Sequence, residues 1–293
     1  MRPSAPLYTN APASPWRVAA PLLEWAGALA LVTLAVARRD IMARSTRVLS
    51  LLTSLASVGL GLAIFYFIGE LVQSAPTALL TPGAGGYFAF VVLGMTQAQL
   101  FSAATYGISQ RVRTAQLEGT LEGMLATPAP PFSLMLATAL PVLGAQVVRV
   151  IGVLGVAALF FDFPWRLVNW PATLVTLALS LAAFLPIGLL GATYVIMSKA
   201  EEPLSRALGA AAALLGGLYF PRAVLPLWLQ TLGLALPITH AADALRATML
   251  GGATLHDIGR ELGALMWFAG VGLPIAAVAL HSCVGFLRRR GSF

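Results

Sequence analysis

The sequence predicts an all-α polytopic membrane protein. It should have six transmembrane helices, an N-terminal amphipathic helix turning into the first, and an outer re-entrant helical hairpin between spans 5 and 6. Three observations carry that expectation. Of 293 residues, 58% are hydrophobic and only 10% charged, against about 25% charge in soluble domains, and mean hydropathy is +0.84. Six apolar segments approach the roughly 20 residues needed to cross about 30 Å of hydrocarbon. The basic residues also sort to one side of those segments, as the positive-inside rule requires.

Residues 1–20 form a leader rich in proline and alanine, too poor in apolar side chains to offset the entropy of ordering; it is expected to be disordered, with residues 21–293 forming a single transmembrane domain. Residues 18–37 are apolar enough for a seventh span or a signal peptide. Glu24 argues against the first, and the cluster Arg38, Arg39, Arg44 and Arg47 behind the segment argues against the second. An amphipathic helix along the inner surface fits better.

The spans are expected at 47–70, 87–109, 133–160, 171–197, 204–220 and 263–286. With the N-terminus inside, thirteen of the eighteen Lys and Arg residues fall on the cytoplasmic side and four on the outer side, leaving Arg149 within span 3. Both termini are therefore expected in the cytoplasm. All six tryptophans (16, 25, 165, 170, 228 and 267) fall near an expected membrane surface, where amphipathic rings collect.

The segment 221–262 differs in kind. Pro221, Pro226 and Pro237 divide it into two apolar pieces, 226–236 and 239–250, each too short to cross. Proline starts a helix readily, Thr239 can cap the second piece, and Gly251–Gly252 can end it. A hairpin dipping into the outer leaflet reconciles short length with high apolarity, provided its loop is buried in protein.

Several chemistries are excluded. Cys283 is the only cysteine, so there is no internal disulfide and no cysteine-based zinc or iron–sulfur site. His240, His256 and His281 form no HExxH pattern. The single lysine, Lys199, follows Ser198, so no GxxxxGK[ST] phosphate loop exists, and Gly83-Ala84-Gly85 runs on to Phe88 rather than completing GxGxxG. Any nucleotide energy must come from another chain. The net charge of +7 reads as positive-inside bias rather than as affinity for nucleic acid.

In the loop 111–131, Leu117, Leu121, Met124 and Leu125 repeat as one apolar stripe of a helix, with Glu118 and Glu122 as a second. Pro128, Pro130 and Pro131 stop that helix. A loop helix on the lipid surface is the plainer alternative, but two glutamates would face anionic headgroups there, which favours a protein docking surface. In span 2, Thr96, Gln99, Ser102, Tyr106 and Ser109 are spaced 3, 3, 4 and 3. That spacing places five polar groups on one face, suited both to interhelical hydrogen bonds of about 0.6 kcal/mol each and to lining a translocation path. Gly209, Ala213 and Gly217 in span 5, and Ser57 and Gly61 in span 1, have the small-xxx-small spacing of close helix packing, between two copies or within one. Arg149, at about 2.5–3.5 kcal/mol on insertion scales, needs a partner or a wet cavity. Glu70 and an anionic substrate head group are the two candidates.

Three stretches together resemble one family. EGTLEGMLATP is similar to the cytoplasmic coupling segment of type-2 ATP-binding-cassette (ABC) exporter permeases. Residues 216–252 resemble that family's span-5 exit and outer hairpin, and ARRDIMARSTRVL, residues 37–49, resembles its N-terminal elbow helix. The likeness runs from about residue 25 to 287; the leader departs from it.

The resemblance implies a permease that pairs with a second copy or paralogue and docks a separate ATPase subunit, which holds ATP and Mg, with no cofactor on this chain. It assigns ATPase contacts to Arg38, Arg39, Asp40 and Arg44 and to Glu118, Thr120, Glu122 and Leu125, and brings spans 1 and 5 together across the dimer. A bacterial cytoplasmic membrane is the expected location.

An ion-coupled secondary transporter is the alternative, but the proline-interrupted spans 3, 4 and 6 do not pair into repeated halves. An intramembrane serine hydrolase is disfavoured because Gly107-Ile108-Ser109-Gln110 lacks the second glycine of GxSxG. Relatives carry drug-like amphiphiles, lipids or lipid-linked glycans. The neutral polar groups of span 2 favour hydrophobic small molecules or lipids.

Overall fold

The structure, a computed structural model, describes residues 47–73, 86–125, 131–161, 163, 165–198 and 204–290. The leader, the amphipathic segment 18–37 and the elbow residues Arg38, Arg39, Asp40 and Arg44 lie outside the described residues. Among the described residues there is no β-strand.

The first helix, α1, is Arg47–Gln73, 27 residues, with an apolar section at Ser57–Leu71. One unbroken helix of 32 residues, Gly86–Leu117, then contains α2 (Gly86–Ser102), a π segment (Ala103–Gly107) and α3 (Ile108–Leu117). A short α4 (Thr120–Leu125) leads to α5 (Pro131–Phe160), α6 (Trp170–Ser198) and α7 (Leu204–Leu215). Two short helices follow, α8 (Leu227–Leu234) and α9 (Pro237–Leu250), and α10 (Gly259–Arg290) closes the bundle. Among the described residues, four helices are long and apolar enough to cross a membrane: Gly86–Leu117, Pro131–Phe160, Trp170–Ser198 and Gly259–Leu287. They coincide with expected spans 2, 3, 4 and 6.

The fifth expected span differs. α7 has 12 residues, about 18 Å of rise, and stops short of residue 220. Its last helical bond runs from the Gly216 N–H to Ala212 O at 2.9 Å. Gly217 then turns the chain at φ +63°, a conformation that side chains resist. Gly217 therefore belongs to a turn, not to a helical ladder with Gly209 and Ala213.

α6 organises the core, packing against α10, α9, α3 and the π segment. Phe184 of α6 meets Phe101 of α2 edge to face at 5.1 Å between centroids, the geometry that ring quadrupoles favour. Gln97 adds a polar tie: its Nε2 donates to Ser180 Oγ at 3.4 Å and to Ala241 O at 3.1 Å, joining spans 2 and 4 to α9. Tyr66, Phe88 and Phe161 cluster with centroids 5.2–5.6 Å apart and link α1, α2 and the residue that follows α5. Leu159, Phe160 and Ile151 of α5 remain exposed, as expected of side chains facing lipid.

The α8–α9 pair begins and ends where proline and glycine predict. Pro226 precedes α8, Pro237 opens α9, and the Gly251 N–H closes on Ala247 O. Thr239 does not cap α9, because Leu236 occupies the N-cap and Pro237 sets the first turn. The Thr239 hydroxyl instead donates back to Gly233 O at 2.6 Å, fastening α9 to α8. α9 is buried through Ile238, Ala242 and Leu245, whereas Leu227 and Trp228 of α8 are exposed. Beyond the hairpin, the exposed Asp257 carboxylate accepts the Thr254 N–H and hydroxyl, both at 2.8 Å. Those bonds, the backbone one foremost, hold its pKa below the ordinary carboxylate value.

Candidate functional site

A cavity of about 490 Å³ opens between the span-2 and span-3 helices. Span 2 contributes Met95, Gln99, Ser102 and Tyr106, at the i, i+4, i+7, i+11 positions of one helical face. α5 contributes Val142, Gln146 and Arg149, and Tyr219 lines the cavity from beyond α7. Gln146 Nε2 donates to Gln99 Oε1 at 3.2 Å across the gap. Of the residues singled out for a path, Gln99, Ser102, Tyr106 and Arg149 share this one cavity.

Thr96 and Ser109 do not. Both are buried, and their hydroxyls donate within the helix, Thr96 to Val92 O at 2.9 Å and Ser109 to Thr105 O at 3.1 Å. Thr96 sits at the edge of the polar arc, where neighbouring helices cover it. Ser109 is displaced by the π segment. Its i→i+5 bonding winds more slowly than an α-helix, lagging by about a quarter turn over five residues. Tyr106 and Gly107 still line the cavity beside Ser102, while Ser109 does not.

The π segment is fixed by its neighbour. A Cβ on Gly188 of α6 would lie 1.8 Å from Ala104 O, so only glycine lets the span-4 backbone rest against the bulged turn.

Arg149 is exposed into the cavity and forms no ion pair among the described residues. Glu70, the acidic candidate, is exposed near the end of α1 and is not joined to it.

The loop at the far end of span 2 is not one continuous helix. The Glu118 N–H closes α3 on Thr114 O at 2.9 Å, and Gly119 follows at φ +68°, a left-handed end favoured by glycine. The break splits the expected apolar stripe. Leu117 is 74% exposed, while Leu121 is buried. Glu118, Thr120 and Glu122 are all exposed on the turn and on α4, which ends at Leu125. The Thr120 hydroxyl donates to Ala115 O at 3.2 Å, bracing the turn. Gln116 Nε2 donates to Val195 O at 3.2 Å and ties the turn to span 4.

Of the packing residues, Ser57 is exposed and Gly61, Gly209 and Ala213 are half-buried. A Cβ built on Gly61 or Gly209 meets nothing within 4 Å, so the described chain leaves both faces uncovered.

Sequence reasoning missed Arg246. Its guanidinium lies 3.5 Å over the Phe90 ring and donates to Phe90 O at 3.3 Å and Leu218 O at 3.0 Å. Nearby, Arg222 pairs with Asp243 of α9. Gln146 was missed as well. A glutamine three residues before Arg149, one turn away on the same helix, was the available signal.

Long apolar helices around a partly polar, cationic cavity define a multi-pass membrane transport protein. The ABC-2 type transporter family model matches residues 30–250, and the chain belongs to that family. It is thus a transmembrane permease of ABC transport. Among curated proteins none matches the chain.

Proposed function

We propose that this chain is the membrane subunit of an ATP-driven exporter that moves a hydrophobic or amphiphilic molecule out of the cytoplasm by alternating access. It performs no covalent chemistry. ATP and Mg are held by a separate ATPase subunit, and a second permease copy or a paralogue completes the pathway. The bilayer is a bacterial cytoplasmic membrane crossed six times with both termini inside. The N-terminal amphipathic helix lies along the inner face as an elbow, and α8–α9 re-enter the outer leaflet.

One observation carries this reading. The same unbroken helix, Gly86–Leu117, holds Gln99, Ser102 and Tyr106 in the cavity wall and ends at the exposed turn of Glu118, Thr120 and Glu122. A push delivered at that turn reaches the cavity along one hydrogen-bonded rod. The turn, with Leu125 and the elbow residues Arg38, Arg39, Asp40 and Arg44, is the ATPase dock.

Co-expression with the candidate ATPase tests the proposal. The ATPase should copurify, and Glu118→Lys combined with Glu122→Lys should abolish substrate export while hydrolysis continues. Normal export by the double variant removes the docking assignment. Transport into liposomes driven by an ion gradient alone would replace the whole reading with a secondary transporter.

A further inference from the structure

Resting on the transport reading above, the geometry points to the substrate class: we infer that the cavity selects an amphiphile with an anionic head group, held by Arg149. A guanidinium offers only N–H donors and no acceptor, and no acidic side chain lines this cavity or pairs with Arg149 among the described residues. A lone cation within a span is tolerated only where water or a counter-ion meets it. An occupant that brings negative charge supplies the counter-ion that the described residues do not.

The neighbouring groups agree. Because Gln146 donates to Gln99 Oε1, the amide N–H groups of Gln99 are left to point elsewhere. Gln99 and Ser102 line the cavity and donate no hydrogen bond among the described residues. Arg149, the Gln99 amide and the Ser102 hydroxyl thus form a set of donors suited to the several acceptor oxygens of a phosphate or carboxylate. Met95 and Val142 give the same cavity an apolar wall for a tail. Among the described residues that line it, no carboxylate is present to suit a cationic cargo.

The test uses the purified full-length permease, without ATPase, in phosphatidylcholine nanodiscs. The probes are dodecyl phosphate and dodecanol, which share a tail and differ in head group. The wild-type protein should bind the phosphate about tenfold more tightly than the alcohol, the scale of one charge-assisted hydrogen-bonding site. Arg149→Gln should erase that preference without changing dodecanol binding, Arg149→Lys should retain most of it, and Gln99→Ala should reduce it in part. Removing a charge from a span lowers its insertion cost, so the glutamine variant is expected to fold.

Adding phosphatidylglycerol to the nanodiscs separates the two sources of such a head group. Competition by it means that resident lipid fills the site, and undiminished phosphate binding means that the site is kept for cargo. Equal binding of both probes, or a preference that survives Arg149→Gln, overturns the inference. Because no ATPase is present, that result leaves the docking proposal standing, just as failed ATPase capture leaves the head-group preference standing.

Discussion

Arg246 is a long cationic side chain used as a structural pin. Leu218 lies past the last turn of α7, so its carbonyl has no helical donor, and the guanidinium supplies one. The same group stacks on Phe90 and reaches Phe90 O, so one side chain joins α9 to α2 and to the turn after α7. Arg246→Ala deletes those donors and strands a carbonyl. It should destabilise the protein by about 2–4 kcal/mol, read as a lowered Tm in detergent. Arg246→Lys should recover little, because an ammonium cannot reproduce the planar stack and fork. A lysine variant as stable as wild type would show that charge alone suffices.

At the scale of elements, the crossing of span 4 over the π segment is the tightest. Gly188→Ala drives a methyl into Ala104 O, with backbone on both sides and no rotamer to relieve it. A loss of about 3 kcal/mol, the upper end of overpacking, is expected. Gly155→Ala in α5 meets nothing within 4 Å and should leave Tm unchanged or slightly raised. Equal Tm for the two variants would mean that α6 shifts freely past the bulge.

The elements themselves were largely legible. Spans 2, 3, 4 and 6 follow from apolar runs, and the hairpin ends from Pro226, Pro237 and Gly251. What hydropathy missed were changes inside a run. Span 2 continues as helix to Leu117 because Arg111, Val112 and Arg113 leave the apolar stretch without leaving the helix. The π segment has no compositional mark, and it lies between Ser102, which lines the cavity, and Ser109, which does not. Gly119 was a visible stop signal, outweighed by the regular spacing of leucines around it. In the cavity, Gln99, Ser102, Tyr106 and Arg149 were readable from spacing and charge. The Gln146 bridge depended on how two helices pair, which one helix's periodicity cannot encode.

At the scale of the molecule, an uncovered face invites a second chain. Gly61 and Gly209 have open space where a side chain would begin, and small residues let helices approach closely in lipid. Cysteine substitution at Gly209, in a Cys283→Ala background, should give a disulfide-linked dimer on mild oxidation if the span-5 faces meet. Gly209→Leu should shift the detergent-solubilised protein from dimer to monomer while leaving Tm nearly unchanged. Unchanged elution of the leucine variant would move the contact elsewhere.

The 32-residue rod from Gly86 to Leu117 also imposes a reciprocity. Where occupancy of the cavity shifts the helix as a whole, it shifts the turn at Glu118 as well, and linkage then makes the two binding effects equal. Whatever factor a bound amphiphile applies to the grip of a protein on that turn, the grip applies to the amphiphile. Cargo would therefore report its own presence to the motor with no separate sensor.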